Sequence, residues 1–308
     1  MGKFRTEPVE AVITSFNQGS MILEAVQSLC GQTIPPAGII IVDDGSTDEE
    51  SVRILNSIEM DAGLSVPVRI LRQPNGGVSA ARNAGIGKAR ASMVLVLDGD
   101  DRLEPSYLEE VSQLLRSNPA MAAASSWMQT FGVLEAVICP HGGGIESFLS
   151  RNGCPATHIL RRKAWERCGG YDESMRSGFE DWDFFLSMLE TGTDALIGIV
   201  EKPLINYRTA SASSNVRSMT KRLDLMRFIM EKHIDSYRTH VMEAMLDMES
   251  TSMSRLYGWE SEILQGMTLG RSLSGGSEEF LAQPSYGDGG MAAAVRIVSS
   301  HEQMQQPV

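Results

Sequence analysis

Five consecutive residues, Gly38-Ile39-Ile40-Ile41-Val42, constrain the fold more than any other stretch of the chain. Three adjacent isoleucines followed by valine offer no wet face in a strand and no polar stripe in a helix. They fit a short strand buried on both sides, which occurs where helices cover both faces of a parallel sheet. The run stops at Asp43-Asp44-Gly45-Ser46-Thr47-Asp48, a polar turn able to cap a helix that begins near Glu49.

The same unit recurs on either side. Val9 to Phe16 reads as a strand that stops at Asn17-Gln18-Gly19, with Ser20 placed to cap a helix running to about Leu29. Val66 to Leu71 is a third strand, broken by Pro74-Asn75-Gly76-Gly77 and followed by an alanine-rich helix from Val78 to Ala89. Met93 to Leu97 is a fourth strand and ends at Asp98-Gly99-Asp100-Asp101. Strand and helix thus alternate four times, which predicts an α/β fold with a mostly parallel central sheet flanked by helices. Polar clusters stand where the strands end, at Thr14-Ser15, Asp43-Asp44 and Asp98 to Asp101. That edge is where open α/β sheets bind ligands.

From Ala120 to Arg208 the pattern is mixed, with apolar stretches at Met121 to Ala124, Val133 to Ile138 and Ala195 to Val200. From Met219 to Met248 it turns helical. Met226, Met230, Ile234, Tyr237, Val241, Met245 and Met248 form one apolar stripe at helical spacing, which predicts a helix packed on the main domain. After Gly270 the chain is rich in Ser, Gly and Gln and reads as a flexible tail. The expected organisation is a catalytic unit over 1–217, a helical extension over 218–269 and a tail over 270–308. The catalytic unit divides into a nucleotide-binding half, 1–118, and an acceptor-binding half, 119–217.

Composition narrows the function. Lys and Arg number 27 against 39 Asp and Glu, for a net charge of −12 over 308 residues. Such a chain lacks the basic face that displaces counterions from nucleic acid. The four cysteines show no metal-ligand or disulfide spacing. No stretch reaches the roughly 18 apolar residues of a membrane span, and the N-terminus does not read as a signal peptide. The expected location is cytoplasmic, with peripheral contact at the inner membrane face left open.

Two carboxylate clusters carry the chemistry. Asp98-Gly99-Asp100-Asp101 puts three acids in one turn, a costly arrangement that a hard divalent cation would relieve. As an alternative the turn is solvated and caps the next helix. Glu180-Asp181, between Phe179 and Trp182, sets acids against aromatic surface, which raises a carboxyl towards the range of a general base. A helix start is the plainer reading of that pair, and both hold together. Asp43 and Asp44 could accept from ribose or base, or cap a helix. Arg82 and Arg208 are the candidate phosphate cations. Neither a P-loop, a GxGxxG turn after the first strand, nor a GxSxG elbow occurs.

Taken in order, Thr14-Ser15-Phe16-Asn17, Ile41-Val42-Asp43-Asp44-Gly45-Ser46-Thr47-Asp48, Asn75 to Gly85, Leu97 to Asp101, Gly169-Gly170-Tyr171-Asp172-Glu173, Gly178 to Asp183 and Tyr207-Arg208 resemble the family 2 glycosyltransferases of GT-A fold. The resemblance spans about Val9 to Ser214. It implies a metal-dependent, inverting transfer of sugar from a nucleotide-diphosphate donor, UDP-linked in expectation, to a hydroxyl acceptor by single displacement. The alternative is a non-catalytic module that binds nucleotide sugar or glycan on the same fold.

The resemblance also implies roles. Thr14, Ser15, Phe16, Asp43, Asp44, Arg82, Asp98 and Gly99 would bind the nucleotide, with Arg82 approaching the diphosphate or steadying the pocket. Asp98, Asp100 and Asp101 would hold Mn²⁺ or Mg²⁺, Asp100 or Asp101 against the diphosphate. Asp181, with Glu180 beside it, would be the base, and Trp182 and Arg208 would stand on the acceptor or diphosphate side. Many relatives place a His shortly after the Tyr-Arg pair. Here Ser211 or Ser213 stands nearest that role. His158 reads as a packing residue. The acceptor is a glycan, a lipid-linked intermediate or a natural product, and a homodimer through the C-terminal helix is left open.

Overall fold

The computed structural model describes residues 7–61, 63–211, 214–269 and 280–305. The first hundred residues build the predicted alternation. β1 (Val9–Ser15), β2 (Gly38–Asp43), β3 (Val68–Arg72) and β4 (Met93–Asp98) are joined through α1 (Met21–Cys30), α2 (Glu49–Met60) and α3 (Val78–Lys88). All four strands pair in parallel, in the order β3-β2-β1-β4. Ile39, Ile40, Ile41 and Val42 are all buried, as a two-sided strand requires. Asp48 accepts from the Ser51 N–H at 2.8 Å and caps α2 as its turn suggested. Ser20 precedes α1 but makes no side-chain cap.

Beyond β4 the sheet changes character. The two-residue β5 (Arg102–Leu103) and α4 (Tyr107–Ser117) lead into β6 (Met121–Gly132), β7 (Val137–Ile138) and β8 (His158–Arg161). After α5 (Arg162–Cys168) and α6 (Glu180–Leu189) comes β9 (Leu196–Thr209). β8 pairs antiparallel with both β4 and β6, and β6 runs parallel to β9. The complete path is β3-β2-β1-β4-β8-β6-β9-β5, with β7 on β6. The chain goes from β1 outward to β2 and β3, then returns to the other side of β1. The order therefore reverses between β1 and β4, and a ligand crevice belongs outside their carboxyl ends.

The C-terminal region departs from expectation in two ways. The region from 214 on is not one helix but α7 (Ser214–Ser218), α8 (Arg222–Lys232), α9 (Ile234–Thr239) and α10 (Val241–Leu269). Breaks fall at His233 and His240, and only part of the apolar stripe faces the core. Tyr237 is buried and Met226 packs against the core, whereas Met230, Ile234, Val241 and Met245 are exposed and Ile229, His233 and Ala244 are buried in their place. The second correction concerns the tail. Within 280–305 a helix, α11 (Gly290–Gln305), buries Met291, Ala292, Ala294 and Val295, and three of these, Met291, Ala294 and Val295, belong to the same apolar cluster as residues of α1, β1 and β4. A segment that buries four apolar side chains has a reason to stay in place that composition alone does not reveal. No helix among the described residues is long and apolar enough to cross a membrane.

Candidate functional site

The parallel register places Thr14 opposite Asp98 and Ser15 opposite Asp43. Thr14 Oγ1 donates to Asp98 Oδ1 at 3.0 Å, joining the ends of β1 and β4 at the point where the order reverses. Gly99 donates its N–H to the Thr14 carbonyl at 3.0 Å, and a Cβ there would lie 2.7 Å from that oxygen. Glycine lets the turn after β4 fold back onto β1.

Arg82 ties this edge to the second carboxylate cluster. Its guanidinium is buried, donates to Asp98 at 2.9 and 3.1 Å and to Glu180 Oε1 at 3.0 Å, and lies over the Tyr171 ring at 5.3 Å. Asn83 anchors the Tyr171 backbone by accepting its N–H at 2.9 Å and donating to its carbonyl at 2.9 Å. Arg82 thus braces the two acidic clusters from the cavity wall. Its charge is spent on two carboxylates, because a buried guanidinium needs close counter-charges.

Asp44 and Asp43 are used within the fold. The Asp44 carboxylate accepts from Gln73 Nε2 at 2.7 Å and from the Gly76 and Gly77 N–H groups at 2.8 Å each, which ties down the loop before α3. Asp43 Oδ1 accepts the Ser46 N–H at 2.9 Å. The Asp44 carboxylate thus anchors the loop through three donors, and a carboxylate keeps a further acceptor site beyond them. Ser15 is buried, and its hydroxyl has no partner among the described residues. Phe16 is 46% exposed at the open edge, free to face a planar ligand.

The acids after β4 differ from one another. Asp101 is buried, and its Oδ1 accepts the Arg208 N–H at 2.8 Å. Arg208 also donates from Nε to the Asp100 carbonyl at 3.0 Å and from a terminal nitrogen to Glu24 at 2.9 Å. It clamps the acidic turn against β9 and α1. The Asp100 carboxylate has no hydrogen-bond partner among the described residues. Burial, then the charge of Asp98, pushes its pKa up to about 6, and burial and both neighbours raise that of Asp101 well above the ordinary range. A cation would relieve this repulsion, so the donor chemistry fits Mn²⁺ or Mg²⁺. Among the described residues no group of three or more His, Cys, Asp and Glu converges as a cage. A cation here would take its remaining oxygens from substrate and water, as hard divalent ions do in phosphate sites.

Asp181 stands in the first turn of α6, directly after Phe179, whose φ of 65° is left-handed. Such a conformation in a bulky residue is costly and turns the following acids sharply inward. Asp181 Oδ1 accepts its neighbour's N–H, from Trp182, at 2.9 Å, and Oδ2 accepts from Asn152 Nδ2 at 2.9 Å. Burial, then Glu180, lifts its pKa to about 7, against the opposing pull of Arg82. Trp182 is buried and gives its indole N–H to the Phe148 carbonyl at 2.6 Å, so it forms wall rather than a donor to ligand. His158 is packed against Phe185, and burial pulls its pKa down to about 3, as a neutral packing residue should be. Ser211 is exposed and Ser213 lies outside the described residues.

Part of this set surrounds a cavity of about 180 Å³, whereas Thr14, Ser15, Phe16, Asp43, Asp44, Gly99 and Arg208 lie outside its lining. Arg82, Asp98, Asp101, Glu180, Asp181 and Trp182 line it, while Asp100 does not. Its other walls include Asn152, Tyr207, Tyr286 and Gly287, none singled out from sequence as site residues except for the Tyr207-Arg208 pair. Tyr286 and Gly287 carried no signal at all, because the tail's composition hides them.

The pattern described as glycosyl transferase family 2 matches residues 10–136, from β1 to the start of β7. Over these residues the chain is similar to that family. An uncharacterized glycosyltransferase of Haemophilus influenzae is 26% identical over 247 residues, covering 76% of this chain and 80% of its own. Hyaluronan synthase of Pasteurella multocida is 28% identical over 193 residues, which covers 61% of this chain but only 19% of that enzyme. Among solved structures, S. aureus TarS 1–349 superposes with a TM-score of 0.56 at 16% identity, over 97% of this chain and 92% of TarS. The same fragment in complex with UDP-GlcNAc gives 0.54 at 15%, over 75% and 73%. At that identity the likeness is one of fold, and the fold is GT-A. The matched pattern and these relatives support a sugar-transferring enzyme on that fold.

Proposed function

We propose that this protein is an inverting glycosyltransferase that takes a UDP-sugar as donor, depends on Mn²⁺ or Mg²⁺, and uses Asp181 as the base that deprotonates the acceptor hydroxyl. The observation that carries the reading is Asp181 itself. It is a carboxyl in the cavity wall, fixed by two donors and held near pH 7 by burial and Glu180. A base poised near the working pH combines a large deprotonated fraction with useful proton affinity. The UDP-GlcNAc bound to TarS supports the choice of nucleotide.

In this mechanism the nucleotide lies at the carboxyl ends of β1 and β2, with the exposed ring of Phe16 at the edge. The acidic turn after β4, with Asp100 foremost because its carboxylate is unengaged, would hold the cation. When bound, that ion supplies charge stabilisation for the diphosphate leaving group. Asp181 accepts the acceptor's proton at one carboxylate oxygen as the hydroxyl attacks the anomeric carbon. Attack from the face opposite the diphosphate inverts the configuration and needs no covalent enzyme intermediate. Arg82 keeps the two acidic clusters at a fixed separation. Glu180 is held by Arg82, so it raises the base's proton affinity without competing for the proton.

The test is a hydrolysis screen across nucleotide sugars, with Mn²⁺, with Mg²⁺ and with EDTA, on the full chain and on Asp181→Asn. The expected result is slow release of UDP from one UDP-sugar, only with metal, and none from Asp181→Asn. Equal release in EDTA would remove the metal, and undiminished turnover by Asp181→Asn would remove the base.

A further inference from the structure

Part of the wall around Asp181 is made by residues that arrive last in the chain. Tyr286, Gly287, Gly289, Met291 and Ala292 line the same cavity. They are firmly seated. Tyr286 Oη donates to the Cys154 carbonyl at 3.1 Å, Arg222 donates to the Gly287 carbonyl at 3.3 Å, and Asp288 accepts the Gly290 N–H at 2.9 Å. Gly287 has φ +79° and lies directly on the backbone of Asn152. A Cβ on it would stand 2.8 Å from the Asn152 nitrogen and overlap the carbonyl oxygen of the same residue. Only glycine permits that approach.

Asn152 faces two ways. Its Oδ1 accepts the Cys154 N–H at 3.2 Å, which fixes the amide's orientation, and its Nδ2 then points at Asp181 Oδ2. Among the described residues it is the side chain that donates a hydrogen bond to that carboxylate. We propose that Asn152 is a positioning residue for Asp181, and that the C-terminal turn at Gly287 holds Asn152 in place. The segment 286–292 is then a working part of the catalytic site and not an appendage to it. This inference rests on the reading of Asp181 as the base.

The physical argument concerns which oxygen is free. The Trp182 N–H holds Oδ1 from within the same helix, so it fixes one point of the carboxylate. Without Asn152 the group can swing about its Cβ–Cγ bond, and the oxygen aimed at the hydroxyl loses its direction. A donor to a carboxylate also favours its charged form, so losing Asn152 raises the proton affinity of Asp181. The other groups facing Asp181 are Glu180 on its own helix, Arg82 on α3 with Asp98 beyond it, and Cys154, Tyr171, Tyr207 and Tyr286 from the surrounding elements. Burial raises the thiol and the three phenols, so they stay neutral while Asp181 titrates. Arg222 on α8 stands over the Trp182 ring at 5.9 Å and carries its charge throughout. Asp101 in the same cavity wall and Asp100 next to it are also raised, so the effect of Asn152 is read as a difference between variants that leave both acids unchanged.

The experiment uses the full chain labelled with ¹³Cγ-aspartate, the Asp181 resonance being assigned by its absence in Asp181→Asn. Its titration is compared in wild type, Asn152→Ala, the isosteric Asn152→Asp, Tyr286→Phe and Gly287→Ala. Asn152→Ala is expected to move the midpoint up by about one pH unit, and Asn152→Asp by more, because it sets a second carboxylate against the first. Gly287→Ala should move it in the same direction by a smaller amount, and Tyr286→Phe keeps the backbone unstrained if Gly287→Ala unfolds. In steady-state kinetics with the donor identified by the hydrolysis screen, Asn152→Ala should lower kcat about ten- to a hundredfold and leave donor KM within about twofold. Ile297→Ala, on the exposed side of α11, should change nothing. An unmoved midpoint in Asn152→Asp would overturn the role of Asn152. A moved midpoint there with none in either C-terminal variant would overturn the role of the tail. Activity retained by Asp181→Asn would instead remove the base, a separate failure.

Discussion

The acidic turn after β4 and the first turn of α6 both present carboxylates to the same cavity, with Arg82 between them, yet they are built for opposite ends. The β4 turn packs Asp98, Asp100 and Asp101 together, and its neighbours satisfy all but one. Thr14 and Arg82 hold Asp98, and the Arg208 N–H holds Asp101. What is left over is negative charge at Asp100, which calls for a cation. At α6 the charges are few and the surroundings dry. Glu180 is paired with Arg82, and Asp181 keeps two neutral donors and a proton affinity near neutrality. In the proposed mechanism the crowded acids on the polar edge would hold a cation, and the buried carboxyl of Asp181 would move the proton.

Substitutions can break that division of labour. The largest effect is expected from Asp181→Asn, a loss in transfer of about 10²- to 10⁴-fold with donor affinity nearly intact, measured by transfer rates and nucleotide titration. In wild type the base works deprotonated, so the rate should rise with pH through about 7. A rate that fell through that window would assign Asp181 to the acid role. Next, Arg82→Met leaves Asp98 and Glu180 facing each other uncompensated across a buried gap. It should cost about 3 kcal/mol in chemical denaturation, and a change under 1 kcal/mol would show that the two clusters are independent.

Asp100→Ala should weaken the donor nucleotide about tenfold in Mn²⁺ and not at all in EDTA, measured by titration calorimetry. Equal weakening in both would return Asp100 to a role in the fold. The smallest effect tests how α8 is docked on α6. Burial pulls the His233 pKa down, but hydrogen bonds to Asp183 at 3.1 Å and Glu190 at 2.9 Å outweigh it and lift it to about 9. A group raised in the folded state stabilises fully below its unfolded value near 6.5 and loses that contribution as pH rises through about 9. Thermal unfolding should therefore weaken over this range by on the order of 1 kcal/mol, and His233→Gln should flatten the dependence.

The parallel half was legible because its signals are local. The isoleucine run, the polar turns and the acids after each strand all follow from what neighbouring residues can do to one another. The identity of the acidic clusters was legible for the same reason, Asp98 to Asp101 and Glu180-Asp181 being contiguous. Their electrostatic states were not. That Arg82 spends its charge on Asp98 and Glu180, or that Gln73 and two loop amides hold Asp44, depends on residues far apart in sequence. The methionine stripe was right only for Met226 and Tyr237, because helical spacing presumes an unbroken helix and this one is broken at His233 and His240.

By itself, then, the sequence determined a parallel α/β sheet with its acids along one edge, since strand burial and turn chemistry act over a few residues. Only the tertiary structure decided which acid is paired, which is strained and which is left to hold a proton. It also decided that a helix near the end of the chain joins the same apolar core as the first strand, and that Gly287 lies on Asn152. A polar, glycine-rich stretch shows no such destination, because what fixes it is a surface assembled by residues more than a hundred positions away.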